Sequence, residues 1–140
     1  ERCSVLPESV ASRIHVAAVS MEDREVNATV VNAVQRVSSV VTQRSLIEAF
    51  GLTVAEAMWK KAPVVASAVG GIRDQIDDGV DGVLVDPADG AAWAEAVRDL
   101  LLFPERAREM GLAAHESVRR EFLSNRHLQD LLDIVADLVG

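Results

Sequence analysis

The sequence has a single cysteine, no long apolar run and little positive charge. Because a disulfide needs two cysteines, Cys3 excludes an internal disulfide and fits a reducing cytosol, so we expect a cytoplasmic protein. No apolar stretch reaches the roughly 18 residues that a membrane-spanning helix needs. Residues 1–7 contain neither an initiating methionine nor a signal-peptide pattern, which indicates a processed chain or a fragment that starts inside a longer protein.

The balance of charge is acidic, with 22 acidic residues against 14 basic ones and a net charge of −8. An acidic chain without a basic stripe is a poor ligand for nucleic acid and for an anionic membrane surface. The three histidines show no metal-ligand spacing, and we expect neither a metal site nor a cofactor. Hydrophobic residues make up 49% of the 140, which is enough to build a core.

Short apolar segments alternate with segments of helical periodicity along the chain. The patterns predict strands at 13–19, 39–42, 63–66 and 83–85, a helical turn at 72–77, and helices at 25–37, 53–60, 90–102, 104–121 (with a break near Gly111) and 125–138. Such alternation is typical of a parallel sheet that is buried on both faces. We therefore predict an α/β fold, with a Rossmann-like parallel sheet, helices on both faces and a helical C-terminal tail.

Two carboxylates flank a predicted turn that leads into a helix. Glu48 and Glu56 have seven residues between them, and the turn at Gly51 comes just before a helix that is predicted to open at Thr53. Backbone N–H groups at a helix start bind phosphate, and the helix dipole favours negative charge there. Carboxylates accept hydrogen bonds from hydroxyl groups. The segment therefore suits a sugar nucleotide, with its diphosphate at the helix start and its sugar and ribose at the carboxylates.

The same residues also have purely structural interpretations. Thr53 and Glu56 match the Thr-x-x-Glu capping box, although capping does not exclude ligand binding by the same carboxylate. Glu48 has no helix to cap, and it follows a predicted strand at the sheet edge where open α/β sheets bind ligands. Gly70 and Gly71 form either a tight turn or a place where backbone approaches a ligand closely.

Five motifs occur in the order and spacing of one enzyme family. They are Glu48 to Glu56 around Phe50-Gly51-Leu52, Ala57-Met58, Pro63–Ala66, Gly70–Ile72, and Asp78-Gly79 through Gly82–Val85. This pattern resembles the retaining, nucleotide-sugar-dependent glycosyltransferases of the GT-B fold over about residues 38–90. Residues 56–60 and 71–76 resemble the trehalose-synthesising members, because many other members have a small residue at Trp59 and an acidic residue at Gln75.

The resemblance implies a role for each candidate residue. Glu48, the catalytic candidate, is implied to bind hydroxyls of the transferred glucose near the reacting carbon. Gly51, Leu52 and Thr53 are implied to offer backbone N–H groups to the diphosphate, and Glu56 is implied to bind the ribose hydroxyls. The implied donor is a nucleoside-diphosphate-glucose and the implied acceptor a sugar, with trehalose formed when that sugar is glucose. The resemblance also implies that the anomeric configuration is retained and that the acceptor enters on the face from which the diphosphate departs, so that stabilising the departing negative charge does much of the catalysis.

Three features depart from the family pattern. Ala49 stands where the family usually has glycine, and no Gly-Arg…Lys phosphate-binding segment occurs before residue 50. The acceptor domain has no counterpart, because 140 residues cannot hold both GT-B halves. We expect residues 1–140 to be a single, N-terminally incomplete nucleotide-sugar-binding domain that is inactive without its N-terminal partner domain. The alternatives are a non-catalytic nucleotide-binding module and an oligomerising Rossmann-like module.

Overall fold

The computed structural model of the chain describes residues 6–20 and 22–139, and Cys3 lies outside them. The helices are α1 (Glu8–Ala11), α2 (Arg24–Val37), α3 (Leu52–Trp59), α4 (Ile72–Gln75), α5 (Gly90–Leu102), α6 (Pro104–Glu121) and α7 (Ser124–Val139). The strands are β1 (Val41–Gln43), β2 (Val64–Ser67) and β3 (Val83–Val85). The chain forms two compact units, one up to Asn32 and one from Ala33 onward.

The first unit contains α1 and the beginning of α2. Asp23 starts α2, because its Oδ1 accepts hydrogen bonds of 3.0 Å from the backbone N–H groups of Glu25 and Val26. The strand predicted at 13–19 is wrong, since residues 14–20 have no regular secondary structure. A β-branched run favours a strand only when a neighbouring strand completes its hydrogen bonds, and the described part of this unit contains no strand.

The second unit is built on a parallel sheet in the order β1-β2-β3. Val41 pairs with Val64 between the first two strands, and Val65 pairs with Val83 between the last two. The central strand β2 is buried at all four positions, as expected of a strand that is covered on both faces. Its pairing confirms the predicted parallel α/β sheet.

Alternate residues of β2 pack against different helices, because successive side chains of a strand point to opposite faces. Val64 and Ala66 belong to a cluster with residues of α3 and α6, whereas Val65 belongs to a cluster dominated by α5 and α6. The first cluster includes Val54, Ala57, Met58, Ala114 and Val118; the second includes Trp93, Leu100, Ala107 and Met110. Helices therefore cover both faces of the sheet.

The long helix α6 runs without interruption from Pro104 to Glu121, so the break predicted near Gly111 is wrong. A Cβ atom on Gly111 would lie 2.2 Å from the carbonyl oxygen of Lys61. This glycine therefore allows the helix to approach the backbone that follows α3, and it does not interrupt the helix.

The last helix, α7, confirms the predicted helical tail. Six of its large apolar residues are about half exposed or more, and these are Leu128, Leu131, Leu132, Ile134, Val135 and Leu138. Within residues 6–20 and 22–139, no helix is both long enough and apolar enough to cross a membrane.

Candidate functional site

The candidate residues lie where the carboxyl end of β1 connects to α3. Gly51 is the N-terminal cap of α3, in a left-handed conformation with φ of 81° and ψ of 55°. The first hydrogen bond of the helix is donated by the N–H of Val54 to the carbonyl of Gly51 over 3.0 Å. Helices leave their first N–H groups without helical acceptors, and the exposed Leu52 and Thr53 lie at this position. Their amide groups can therefore serve an anionic ligand.

Glu48 lies in the loop before this helix start and is half-buried, although its neighbours in the loop are exposed. Its Oε2 accepts a hydrogen bond of 3.4 Å from the hydroxyl of Ser45, and its backbone carbonyl accepts one of 3.3 Å from the N–H of Gly71. A Cβ atom on Gly51 would lie 3.6 Å from the Cγ of Glu48. The structure thus brings Glu48 and the cap of α3 together.

The two glycines after β2 hold this loop in place. A Cβ atom on Gly70 would lie 1.8 Å from the carbonyl oxygen of Glu48, and one on Gly71 would lie 2.2 Å from that of Ala49. The close approach is therefore made to the protein's own backbone, and only residues without a Cβ permit it. The loops that follow β1 and β2 are therefore packed backbone against backbone.

Gln75 makes a further contact to the loop. Its side chain is only 3% exposed, and its Nε2 donates a hydrogen bond to the carbonyl of Phe50. The Phe50 ring meets Phe122 edge to face, with ring centroids 6.0 Å apart. From the sequence, Gln75 is notable only as a position where many other family members have an acidic residue. Its contact with Phe50 could not be predicted, because a contact between residues 25 positions apart leaves no local pattern.

Glu56 lies inside α3, and the predicted capping box is wrong. The cap is Gly51, without a side-chain hydrogen bond, and the helix already includes Thr53. The Glu56 side chain is 52% exposed, and its Oε2 lies 3.9 Å from the Nζ of Lys60 one turn later. Its carboxylate is consequently not used to satisfy the helix start.

The structure also has a cavity of about 330 Å³ beside β3 and α5. Its charged lining residues are Asp86, Asp89, Glu95, Asp99 and Arg106. None of the five candidate residues lines it, so this cavity and the β1–α3 junction are separate features.

Residues 24–117 match the family model of the glycosyl transferases group 1, and this range contains the whole β1–α3 junction. The chain belongs to this family. The predicted resemblance is thereby confirmed at the level of the family.

Known proteins support the same assignment. The chain is 50% identical over 115 residues to the trehalose synthase of Pyrococcus horikoshii, which covers 82% of this chain and 27% of that protein. The chain therefore spans about a quarter of the length of this curated relative. Among solved structures, the sucrose-phosphate synthase of Thermosynechococcus elongatus superposes with a TM-score of 0.72 at 32% identity, covering 88% of this chain and 30% of that one.

Anabaena HepE, solved in complex with UDP-glucose, superposes with a TM-score of 0.67 at 21% identity and covers 76% of this chain and 30% of that one. This last likeness concerns the fold alone. Together with the parallel sheet, the superpositions confirm the predicted Rossmann-like fold of a GT-B C-terminal half.

Proposed function

We propose that residues 1–140 form the donor-binding domain, incomplete at its N-terminal side, of a longer retaining glycosyltransferase, the parent protein. The donor in this proposal is a nucleoside-diphosphate-glucose, because the β1–α3 junction combines helix-start amides with two carboxylates. The acceptor is a sugar supplied to a separate N-terminal domain. The 50% identity to a trehalose synthase favours glucose as that acceptor and trehalose as the product.

One observation supports this proposal above the others, namely the composition of the β1–α3 junction. It combines amide groups at a helix start with Glu48 in the preceding loop and Glu56 further along the helix. The amides of Gly51, Leu52 and Thr53 bind the diphosphate in our proposal. Glu48 binds the glucose hydroxyls, and Glu56 binds the ribose hydroxyls.

In the proposed reaction, the bond between the anomeric carbon and the diphosphate oxygen breaks. A hydroxyl oxygen of the acceptor then bonds to that carbon on the same face, and its proton passes to the departing diphosphate oxygen, so the configuration is retained. Negative charge develops on the departing diphosphate, and fixed N–H groups that point at this charge lower the barrier. Glu48 contributes by holding the glucose in a reactive orientation, because a misplacement of about 1 Å can cost a hundredfold in rate.

The test is Glu48→Ala in the parent protein, with two measurements. Calorimetry of the free nucleoside diphosphate should show unchanged affinity, because the base, ribose and phosphates do not contact Glu48. Turnover at saturating donor should fall about a hundredfold, because the glucose loses its orientation. Glu109→Ala, which removes an exposed carboxylate from α6, is the matched control and should leave both values unchanged.

Turnover equal to that of the wild type would show that Glu48 has no catalytic role. A parent protein that binds nucleotide but transfers no sugar to any acceptor would instead favour the non-catalytic binding module. The donor base is identified by a panel of UDP-, ADP- and GDP-glucose. Free glucose as acceptor with trehalose as product tests the finer assignment.

A further inference from the structure

A largely buried lysine side chain lies next to Glu56. The side chain of Lys60 is only 10% exposed, although it carries a positive charge. Its Nζ donates a hydrogen bond to the Oε1 of Gln35 and lies 3.9 Å from the Oε2 of Glu56. Charged side chains are seldom buried without partners, so these two contacts explain how the ammonium group is accommodated.

The partner Gln35 is itself buried and hydrogen-bonded to α3. It is 5% exposed, and its Nε2 donates a hydrogen bond of 3.4 Å to the backbone carbonyl of Thr53 in the first turn of α3. Two hydrogen bonds and one ion pair of 3.9 Å therefore link the Thr53 carbonyl, through Gln35 and Lys60, to Glu56. They connect the helix start, where the diphosphate is proposed to bind, to the carboxylate proposed for the ribose.

We propose that Lys60 is a positioning residue that orients the Glu56 carboxylate to accept the ribose hydroxyls of a nucleoside diphosphate. This inference rests on the proposed function of Glu56. A half-exposed glutamate has several freely rotating bonds, and binding would have to fix them. The ammonium group, fixed by Gln35, attracts Oε2 and restricts the carboxylate before the nucleotide arrives, which reduces the cost of ordering it.

A purely structural role makes a different prediction. Lys60 follows the last residue of α3, where the helix dipole stabilises a positive charge. It also forms an i,i+4 ion pair with Glu56. If that were its whole role, its replacement would lower stability but leave the choice between ribonucleotides and deoxyribonucleotides unchanged. The ratio of these two affinities therefore separates the two roles.

The experiment uses the parent protein and calorimetry with UDP, ADP and GDP, each beside its 2′-deoxy counterpart, and follows the pair that binds most tightly. We expect the wild type to bind the ribonucleotide at least tenfold more tightly. Lys60→Met should lower this ratio below about threefold, mainly by weakening the ribonucleotide. Gln35→Met keeps the charge of Lys60 but removes the side chain to which its Nζ is hydrogen-bonded, so it should lower the ratio less than Lys60→Met does. Lys61→Met, at the exposed neighbouring lysine, should leave it unchanged.

Glu56→Gln distinguishes failure of this inference from failure of the proposed function. If Glu56→Gln leaves the ratio unchanged, the ribose role of Glu56 is wrong, and the inference about Lys60 is overturned with it. If Glu56→Gln removes the preference for the ribonucleotide over its 2′-deoxy counterpart but Lys60→Met and Gln35→Met leave that preference unchanged, only the positioning role is overturned. Should Lys60→Met fail to fold by circular dichroism, Gln35→Met decides the question alone.

Discussion

Gly70 offers a sharp test of how the site loop is supported. Its φ is +46°, and a Cβ atom there would lie 1.8 Å from the carbonyl oxygen of Glu48 and 3.0 Å from the carbonyl carbon. Ordinary contacts of a Cβ atom begin at 3.4 Å, so Gly70→Ala must push the two backbones apart by more than 1 Å. Because both partners are backbone in packed loops, no flexible side chain can relieve the contact.

Two costs add in this variant. Forcing extra atoms into a well-packed region costs about 1–3 kcal/mol. The left-handed conformation costs a residue with a Cβ about 1–2 kcal/mol. Gly70→Ala should therefore lower the free energy of unfolding by about 2–5 kcal/mol, a large part of the roughly 5–15 kcal/mol that a domain has.

Variants at two other glycines distinguish the cost of the steric contact from the cost of the left-handed backbone conformation. Gly79 has a φ of +79°, but within the described part of the chain no atom would lie within 4 Å of a Cβ there, so Gly79→Ala should cost about 1–2 kcal/mol from conformation alone. Gly90 has neither a positive φ nor such a neighbour among the described residues, so Gly90→Ala should stay within about 0.5 kcal/mol of the wild type. Urea denaturation of the chain, followed by circular dichroism, measures all three variants.

The difference between Gly70→Ala and Gly79→Ala isolates the contact with Glu48. If the two variants unfold at the same urea concentration, the close approach of the loops has no energetic consequence and our account of the loop is wrong. In the parent protein, Gly70→Ala should also reduce turnover, because Glu48 moves with the displaced loop.

Gly111, the pair of Glu116 with Arg119, and the isolated chain each provide a further test. Gly111→Ala should destabilise the chain by about 1–3 kcal/mol in urea denaturation although alanine favours helices, because its Cβ would lie 2.2 Å from the Lys61 carbonyl oxygen; a stabilised variant would contradict this. A hydrogen bond from Arg119 lowers the pKa of the Glu116 carboxyl, so the pair favours folding above the unfolded-state pKa and loses this contribution as pH falls through the folded-state pKa. An NMR titration should show the pKa of Glu116 rising in Arg119→Ala, with little change in the urea midpoint because the pair is exposed. The chain alone should form no trehalose from the nucleoside-diphosphate-glucose and glucose, because the proposed acceptor domain is absent, and detection of trehalose would refute that.

The sequence predicted the elements that carry their own periodicity. The helix predicted at 90–102 matches Gly90–Leu102, and the strand predicted at 83–85 matches Val83–Val85. The strand predicted at 13–19 failed because strand formation depends on a neighbouring strand, which composition does not reveal. The break at Gly111 failed for a related reason, since a glycine that permits close packing looks the same in sequence as one that ends a helix.

The candidate site shows the same division. Glu48 and Gly51 could be assigned to the end of a strand and the start of a helix, because local patterns predict both elements. The contacts of Gln75 with Phe50 and of Lys60 with Gln35 could not be predicted, since each joins residues 25 positions apart. The sequence therefore predicts the candidate groups themselves, but not the contacts from distant residues that hold these groups in place.

The cap of α3 connects the fold to the proposed chemistry. A Thr-Glu capping box would direct the Glu56 carboxylate to a backbone N–H, and a threonine hydroxyl would occupy another N–H of the first turn. The structure caps the helix with Gly51 instead, whose left-handed backbone turns the chain without any side-chain acceptor. The first amides of the helix and the Glu56 carboxylate are consequently not used by capping. Our proposal assigns these same groups, the first amides of α3 and the Glu56 carboxylate, to binding of the nucleotide.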